Sequence, residues 1–208
     1  MKKIVLIGAI LLGTSSHLAM AAGDAAAGRS KSAVCAACHG SDGNSAAPTF
    51  PKLAGQSERY LNKQLHDIKG KVRVVPAMAG IADNLSDQDI ADLGAYFSSQ
   101  KATVNQAKKD TIVKGEQIFR GGIRDKSVPA CTACHSPDGS GNALAGFPHL
   151  GGQHSDYVST QLKAYRAAAD GDATGRANDG DTKPMRTIAS RLSDSEIAAL
   201  ANYISGLH

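Results

Sequence analysis

The feature that most constrains this 208-residue chain is the pentapeptide Cys-x-x-Cys-His, which occurs twice and uses all four cysteines. Cys35-Ala36-Ala37-Cys38-His39 faces Cys131-Thr132-Ala133-Cys134-His135 at an offset of 96, with Asp42-Gly43 facing Asp138-Gly139. The match runs on. At an offset of 97, Phe50-Pro51-Lys52-Leu53-Ala54-Gly55-Gln56 faces Phe147-Pro148-His149-Leu150-Gly151-Gly152-Gln153. At an offset of 107, Met78, Ile81, Leu85-Ser86-Asp87 and Ile90 face Met185, Ile188, Leu192-Ser193-Asp194 and Ile197. One internal copy gives two tandem domains, not a solenoid, which needs at least about three repeats. The jumps in offset locate second-half insertions at Gly121–Val128, near Ser140–Asn142 and within Ala168–Asp181, the last reading as an Asp/Gly-rich surface loop. The expected organisation is 1–21, 22–100, a linker 101–110, and 111–208.

Each half reads as all-α. Helical periodicity covers Ala25–Ala37, Ser57–Lys69 and Asp87–Ser98 in the first half, and Thr111–Phe119, Ser155–Ala169 and Asp194–Leu207 in the second. Ser86 and Ser193 precede Asp89 and Glu196 at capping-box spacing. Val72-Arg73-Val74-Val75 is the one β-rich scrap, and it has no counterpart in the other half. Three or four short helices give little core for a domain of 80 to 100 residues, and small domains commonly complete theirs with a metal, a disulfide or a cofactor.

The cysteine motif supplies that completion. Cys-x-x-Cys-His is the attachment signature of c-type haem: positions i, i+3 and i+4 share a helical face, so both thiols can bond the vinyl groups while the histidine reaches the iron. Two covalently bound haem c groups are expected, on Cys35 and Cys38 and on Cys131 and Cys134. A redox-active disulfide or a zinc site would use the same cysteines, but neither explains a histidine after both pairs, and no βαβ pattern is present. Outside residues 1–21 the chain has just two methionines, Met78 and Met185, at equivalent repeat positions in loops preceding a helix. No other histidine shows that symmetry. The axial pairs are therefore read as His39/Met78 and His135/Met185, against bis-histidine ligation or an open iron.

Residues 1–21 carry Lys2 and Lys3, an apolar run Ile4–Leu12 and Ala19-Met20-Ala21, the pattern of a cleaved secretory signal peptide. An exported, periplasmic protein is expected. Removing Lys2 and Lys3 takes the formal net charge from +4 to +2, all of it from the linker, because 22–100 and 111–208 are each neutral. Four ionised propionates would cancel even that, so the basic balance is no nucleic-acid footprint. No run approaches the length of a membrane span. Five Tyr, four Phe and no Trp fit a core partly filled by porphyrin.

The order Cys-x-x-Cys-His, then Pro51-x-Leu53 or Pro148-x-Leu150, then Met78 or Met185 before a C-terminal helix resembles the class I cytochrome c fold. The tandem copy, with Ala22-Gly23-Asp24 as the new start, resembles the di-haem cytochrome c4 family over essentially the whole mature chain. That resemblance implies two haem domains related by a pseudo-twofold axis. It also implies a one-electron carrier, not an enzyme, periplasmic or peripherally membrane-associated in a bacterial respiratory chain. The donor would be a quinol-oxidising complex and the acceptor a terminal cytochrome oxidase. It further implies that the carbonyls of Pro51 and Pro148 accept the Nδ1 protons of His39 and His135. The alternatives are a di-haem enzyme of the peroxidase or thiosulfate-oxidising type, or a subunit of a flavocytochrome or oxidase complex. Arg59, Arg73, Arg166 and Arg186 are candidates to neutralise propionates, with solvation the commoner fate of such side chains. Tyr60 and Tyr157 suit either a porphyrin edge or the core. No role follows from the sequence for Gln56 and Gln153.

Overall fold

A computed structural model describes residues 22–208; residues 1–21, for which the sequence predicts a signal peptide, lie outside the described residues. The described chain is helical, without strands, and its only β-type pairs are isolated bridges, Ile123 with Val128 and Asn142 with Phe147. The first half holds α1 (Ala25–Lys31), α2 (Ala33–His39), α3 (Glu58–Lys69), a 3-10 turn at Pro76–Met78, and α4 (Asp87–Ser98). The second holds α5 (Lys109–Gly121), a 3-10 turn at Arg124–Lys126, α6 (Thr132–His135), α7 (Ser155–Ala169), α8 (Pro184–Ala189) and α9 (Asp194–Ser205).

Three expectations are corrected. The helix anticipated over Ala25–Ala37 is two helices, because Ser32 closes α1 with its hydroxyl on the Arg29 carbonyl at 2.8 Å and its N–H on Gly28. Met185 lies in α8 and not in a loop, since Pro184 provides a preset φ at the first helical turn. The insertion within Ala168–Asp181 is not simply a surface loop: Arg176 and Asn178 are buried.

In each domain the first helix crosses the last at a glycine. A Cβ on Gly28 would lie 2.0 Å from the Asp92 carbonyl oxygen, and one on Gly115 would lie 2.3 Å from that of Ala199. Asp92 and Ala199 are repeat equivalents, so the same backbone approach is built twice. The capping boxes Ser86/Asp89 and Ser193/Glu196 both form and start α4 and α9. The cores differ: Leu61, Leu93, Tyr96 and Phe97 form the first, whereas Ile118, Phe119 and Val128 join the helical residues of α7 and α9 in the second.

The two domains meet along a seam whose contacts are exchanged reciprocally, as a twofold relation requires. The Gln56 side chain pairs with the backbone of His149, accepting its N–H and donating to its C=O, both at 2.9 Å. Gln153 does the same to Lys52, again at 2.9 Å and 2.9 Å. The segment between α4 and α5 is stitched down on both sides: Thr103 N–H donates to Asn44 Oδ1 at 2.9 Å and Asn105 N–H to the Ser205 carbonyl at 3.1 Å. Lys52 is buried here, its ammonium donating to the carbonyls of Thr103 (2.8 Å) and Gly152 (3.0 Å) and to Asn105 Oδ1 (3.1 Å).

Candidate haem sites

α2 and α6 end at His39 and His135, and in both the chain leaves the helix through a residue of positive φ, Gly40 at 79° and Ser136 at 67°. That abrupt exit leaves each histidine buried against the loop that follows. His39 Nδ1 donates to the Pro51 carbonyl at 2.8 Å and His135 Nδ1 to that of Pro148 at 3.0 Å. Burial, the larger influence, lowers both imidazole pKa values, and the carbonyl acceptor partly opposes it. Each ring is therefore neutral, its Nδ1 carries the proton, and its Nε2 keeps a lone pair for a metal.

One continuous cavity of about 1060 Å³ runs through both domains and is lined by all four cysteines, both histidines and both methionines. It exceeds the roughly 300–1,000 Å³ of a usual single-ligand pocket. Its surface is mostly apolar, and its polar lining includes Gln64, Arg73, Gln161 and Arg176 at the seam. No disulfide joins the four cysteines. Burial raises the Cys35 pKa and pushes that of Cys131 up to about 11, with the neighbouring Cys134 adding to the latter. Such thiols are not the depressed-pKa thiolates of a redox disulfide. Among the described residues no group of three or more His, Cys, Asp or Glu is arranged to hold a metal ion directly. Half-buried thiols on an apolar cavity, with a metal-ready imidazole beside each pair, fit a haem.

The seam fits its carboxylates. Arg73 donates to Gln64 Oε1 (2.8 Å), Gln161 Oε1 (3.0 Å) and the Tyr157 hydroxyl (3.1 Å). Arg176 donates to Gln161 Oε1 (2.8 Å), Gln64 Oε1 (3.0 Å) and the Tyr60 hydroxyl (3.0 Å), and also to Asn178 Oδ1. Each arginine thus holds both glutamines and the tyrosine of the opposite domain. Neither guanidinium forms an ion pair among the described residues, although both line the cavity. Arg176 is buried and Arg73 half-buried; cations withdrawn from water normally need anionic partners, so this pair is suited to receive propionates.

Of the sequence-nominated arginines, Arg73 joins this glutamine network, and Arg59 also lines the cavity. Arg59 donates to the Leu144 carbonyl, Arg166 to the Leu192 carbonyl and Asp194, and Arg186 pairs with Asp179. Arg176 was not visible, because it falls in an insertion that the other half lacks. Gln56 and Gln153 were visible as a matched pair, and only their partners were hidden.

The comparisons agree with this geometry. The family model for cytochrome c matches residues 25–101 and 112–208. Cytochrome c4 of Pseudomonas aeruginosa is 56% identical over 208 residues, covering 100% of both chains. The chain belongs to the cytochrome c4 family. The Azotobacter vinelandii cytochrome c4 is likewise 56% identical over 200 residues, 92% of each chain. The crystal structure of reduced recombinant cytochrome c4 from Pseudomonas stutzeri matches with a TM-score of 0.85 at 55% identity, covering 90% of this chain and 100% of that one. As a cytochrome c4 the protein carries two covalently bound haem c groups, one per domain, and is a redox electron carrier, not an enzyme. No helix among the described residues is long and apolar enough to cross a membrane.

Proposed function

We propose that the protein is exported by cleavage of 1–21 and works in the bacterial periplasm, taking electrons from a quinol-oxidising complex and passing them to a terminal oxidase. Its working domains are 22–100 and 111–208, joined by 101–110. Cys35, Cys38, Cys131 and Cys134 anchor the haems, and His39/Met78 and His135/Met185 are the axial pairs. The carrying observation is that the single methionine of each described domain lines the same cavity as its histidine, at repeat-equivalent positions. Each haem c supplies a one-electron Fe(III)/Fe(II) couple. The histidine Nε2 and the methionine thioether of each domain would hold its haem iron from both sides and leave no position for a substrate, and thioether ligation would favour the ferrous state, which suits delivery to an oxidase. Arg73 and Arg176 hold the propionates at the seam.

Carbon monoxide titration of the ferrous protein tests the closed sites: no rapid binding is expected, and stoichiometric binding at either iron overturns them. Met78→Ala should remove half of the far-red methionine-to-ferric-iron absorbance, and an unchanged band refutes that ligand. For the acceptor, the reduced protein mixed with membranes of the source cell should be oxidised at a rate that cyanide abolishes. Cyanide-insensitive oxidation argues for another partner.

A further inference from the structure

Pro51 and Lys52 share one peptide group, and that group is hydrogen-bonded at both ends. Its carbonyl accepts His39 Nδ1–H at 2.8 Å, and its N–H donates to Gln153 Oε1 of the other domain at 2.9 Å. The mirror arrangement holds at the second site. The carbonyl of the Pro148–His149 peptide accepts His135 Nδ1–H at 3.0 Å, and its N–H donates to Gln56 Oε1 at 2.9 Å. Both glutamines are buried, and each amide is locked by further bonds. Gln153 Oε1 also accepts the His154 N–H (3.0 Å) and Gln56 Oε1 the Ser57 N–H (3.1 Å), while the Nε2 groups hold the carbonyls of Lys52 and His149.

Hydrogen bonds in series polarise one another. An acceptor on the peptide N–H makes the same peptide's carbonyl a stronger acceptor for Nδ1–H. A stronger bond there leaves the imidazole a more electron-rich ligand, which favours ferric iron.

We propose that Gln56 and Gln153 are crossed positioning residues: each acts through a peptide of the opposite domain on the imidazole bound there, so that docking of the domains sets both reduction potentials. Gln153 serves the His39 site and Gln56 the His135 site. The proposal rests on the axial roles proposed above for His39 and His135.

The test is a redox titration of the holoprotein, followed haem by haem through ferric haem-methyl proton resonances assigned to each domain. Gln153→Leu should raise the potential of the His39 haem, changing its ferrous-to-ferric ratio at fixed ambient potential by roughly threefold, and leave the His135 haem in place. Gln56→Leu should do the converse. In the ferrous state the Nδ1–H proton of the crossed histidine should move upfield while the other stays. Gln153→Glu, which keeps an acceptor on the Lys52 N–H, should lower the His39-haem potential and serves if the leucine variant does not fold. A shift at the variant's own domain, an equal shift at both haems from general loosening, or no shift overturns the proposal. Failure of the axial assignment is distinguishable, because the unsubstituted protein would then lack a histidine/methionine spectrum at that haem.

Discussion

The two halves descend from one pattern yet solve the stretch before the methionine differently. In the first, a short turn after α3 carries Val72 and Val74, 62% and 74% exposed, and sends Arg73 into the seam. In the second, the longer acidic stretch from Asp170 to Lys183 buries Arg176 and Asn178 and spends Asp179 on Arg186. Arg73 and Arg176 occupy no equivalent sequence position, but they make matching bonds to the same two glutamines. Symmetry is therefore kept where charge must be placed and abandoned at the rim. A second contrast lies in the first helices. α1 is Ala-Ala-Ala-Gly-Arg-Ser-Lys and buries little beyond Gly28, whereas α5 buries Ile118 and Phe119.

That contrast is most severely tested by removing one haem at a time. Cys35→Ser/Cys38→Ser and Cys131→Ser/Cys134→Ser should each halve the haem content, measured spectroscopically against protein. The first should lose more helical circular dichroism, because the N-terminal core has fewer large side chains of its own. Equal losses would show that the cores are equally self-sufficient.

The shared crossing should respond alike. Gly28→Ala and Gly115→Ala put a methyl group against a backbone carbonyl, at 2.0 Å and 2.3 Å, that no rotamer change can move. Each should destabilise its own domain by about 1–3 kcal/mol in guanidinium unfolding, and a neutral effect at either would show the helices sliding apart freely.

Acid separates the domains again. Asp92, at the N-terminal crossing, accepts the Asp24 N–H and pairs with Lys31, and these hold its pKa near about 2, below the usual 3.8. Its counterpart Ala199 has no charge to lose. A depressed carboxylate stabilises above its unfolded pKa and ceases to do so as pH falls through its folded value. The N-terminal helix crossing should therefore loosen before the C-terminal one between about pH 4 and pH 2, as seen in resonances assigned to each crossing. Asp92→Asn should flatten that difference, and its persistence in the variant would place the cause elsewhere. The smallest contrast expected is at the caps: Ser86→Ala and Ser193→Ala should each cost about 1 kcal/mol, with no preference between domains.

The haem anchors, the paired methionines and the tandem plan were legible because each rests on residue type and spacing, and both repeats state them. The break at Ser32 was not, since an alanine-rich run carries no periodicity to interrupt. Gln56 and Gln153 show where equivalence stops short of contact: the repeat marks them as a pair, but their acceptors belong to the other domain and only docking reveals them. Arg176 carried no signal at all, because nothing in the first half corresponds to the segment that delivers it.

The Lys52 ammonium also bears on the order in which the protein can be completed. Its three acceptors belong to Thr103, Asn105 and Gly152, all of which follow the N-terminal domain in the chain. Domains generally fold as they emerge, the leading one first. The leading domain would keep that ammonium hydrated until the linker and the start of the second domain arrive to enclose it. The enclosure of Lys52 is thus a contact that only the two-domain chain can complete.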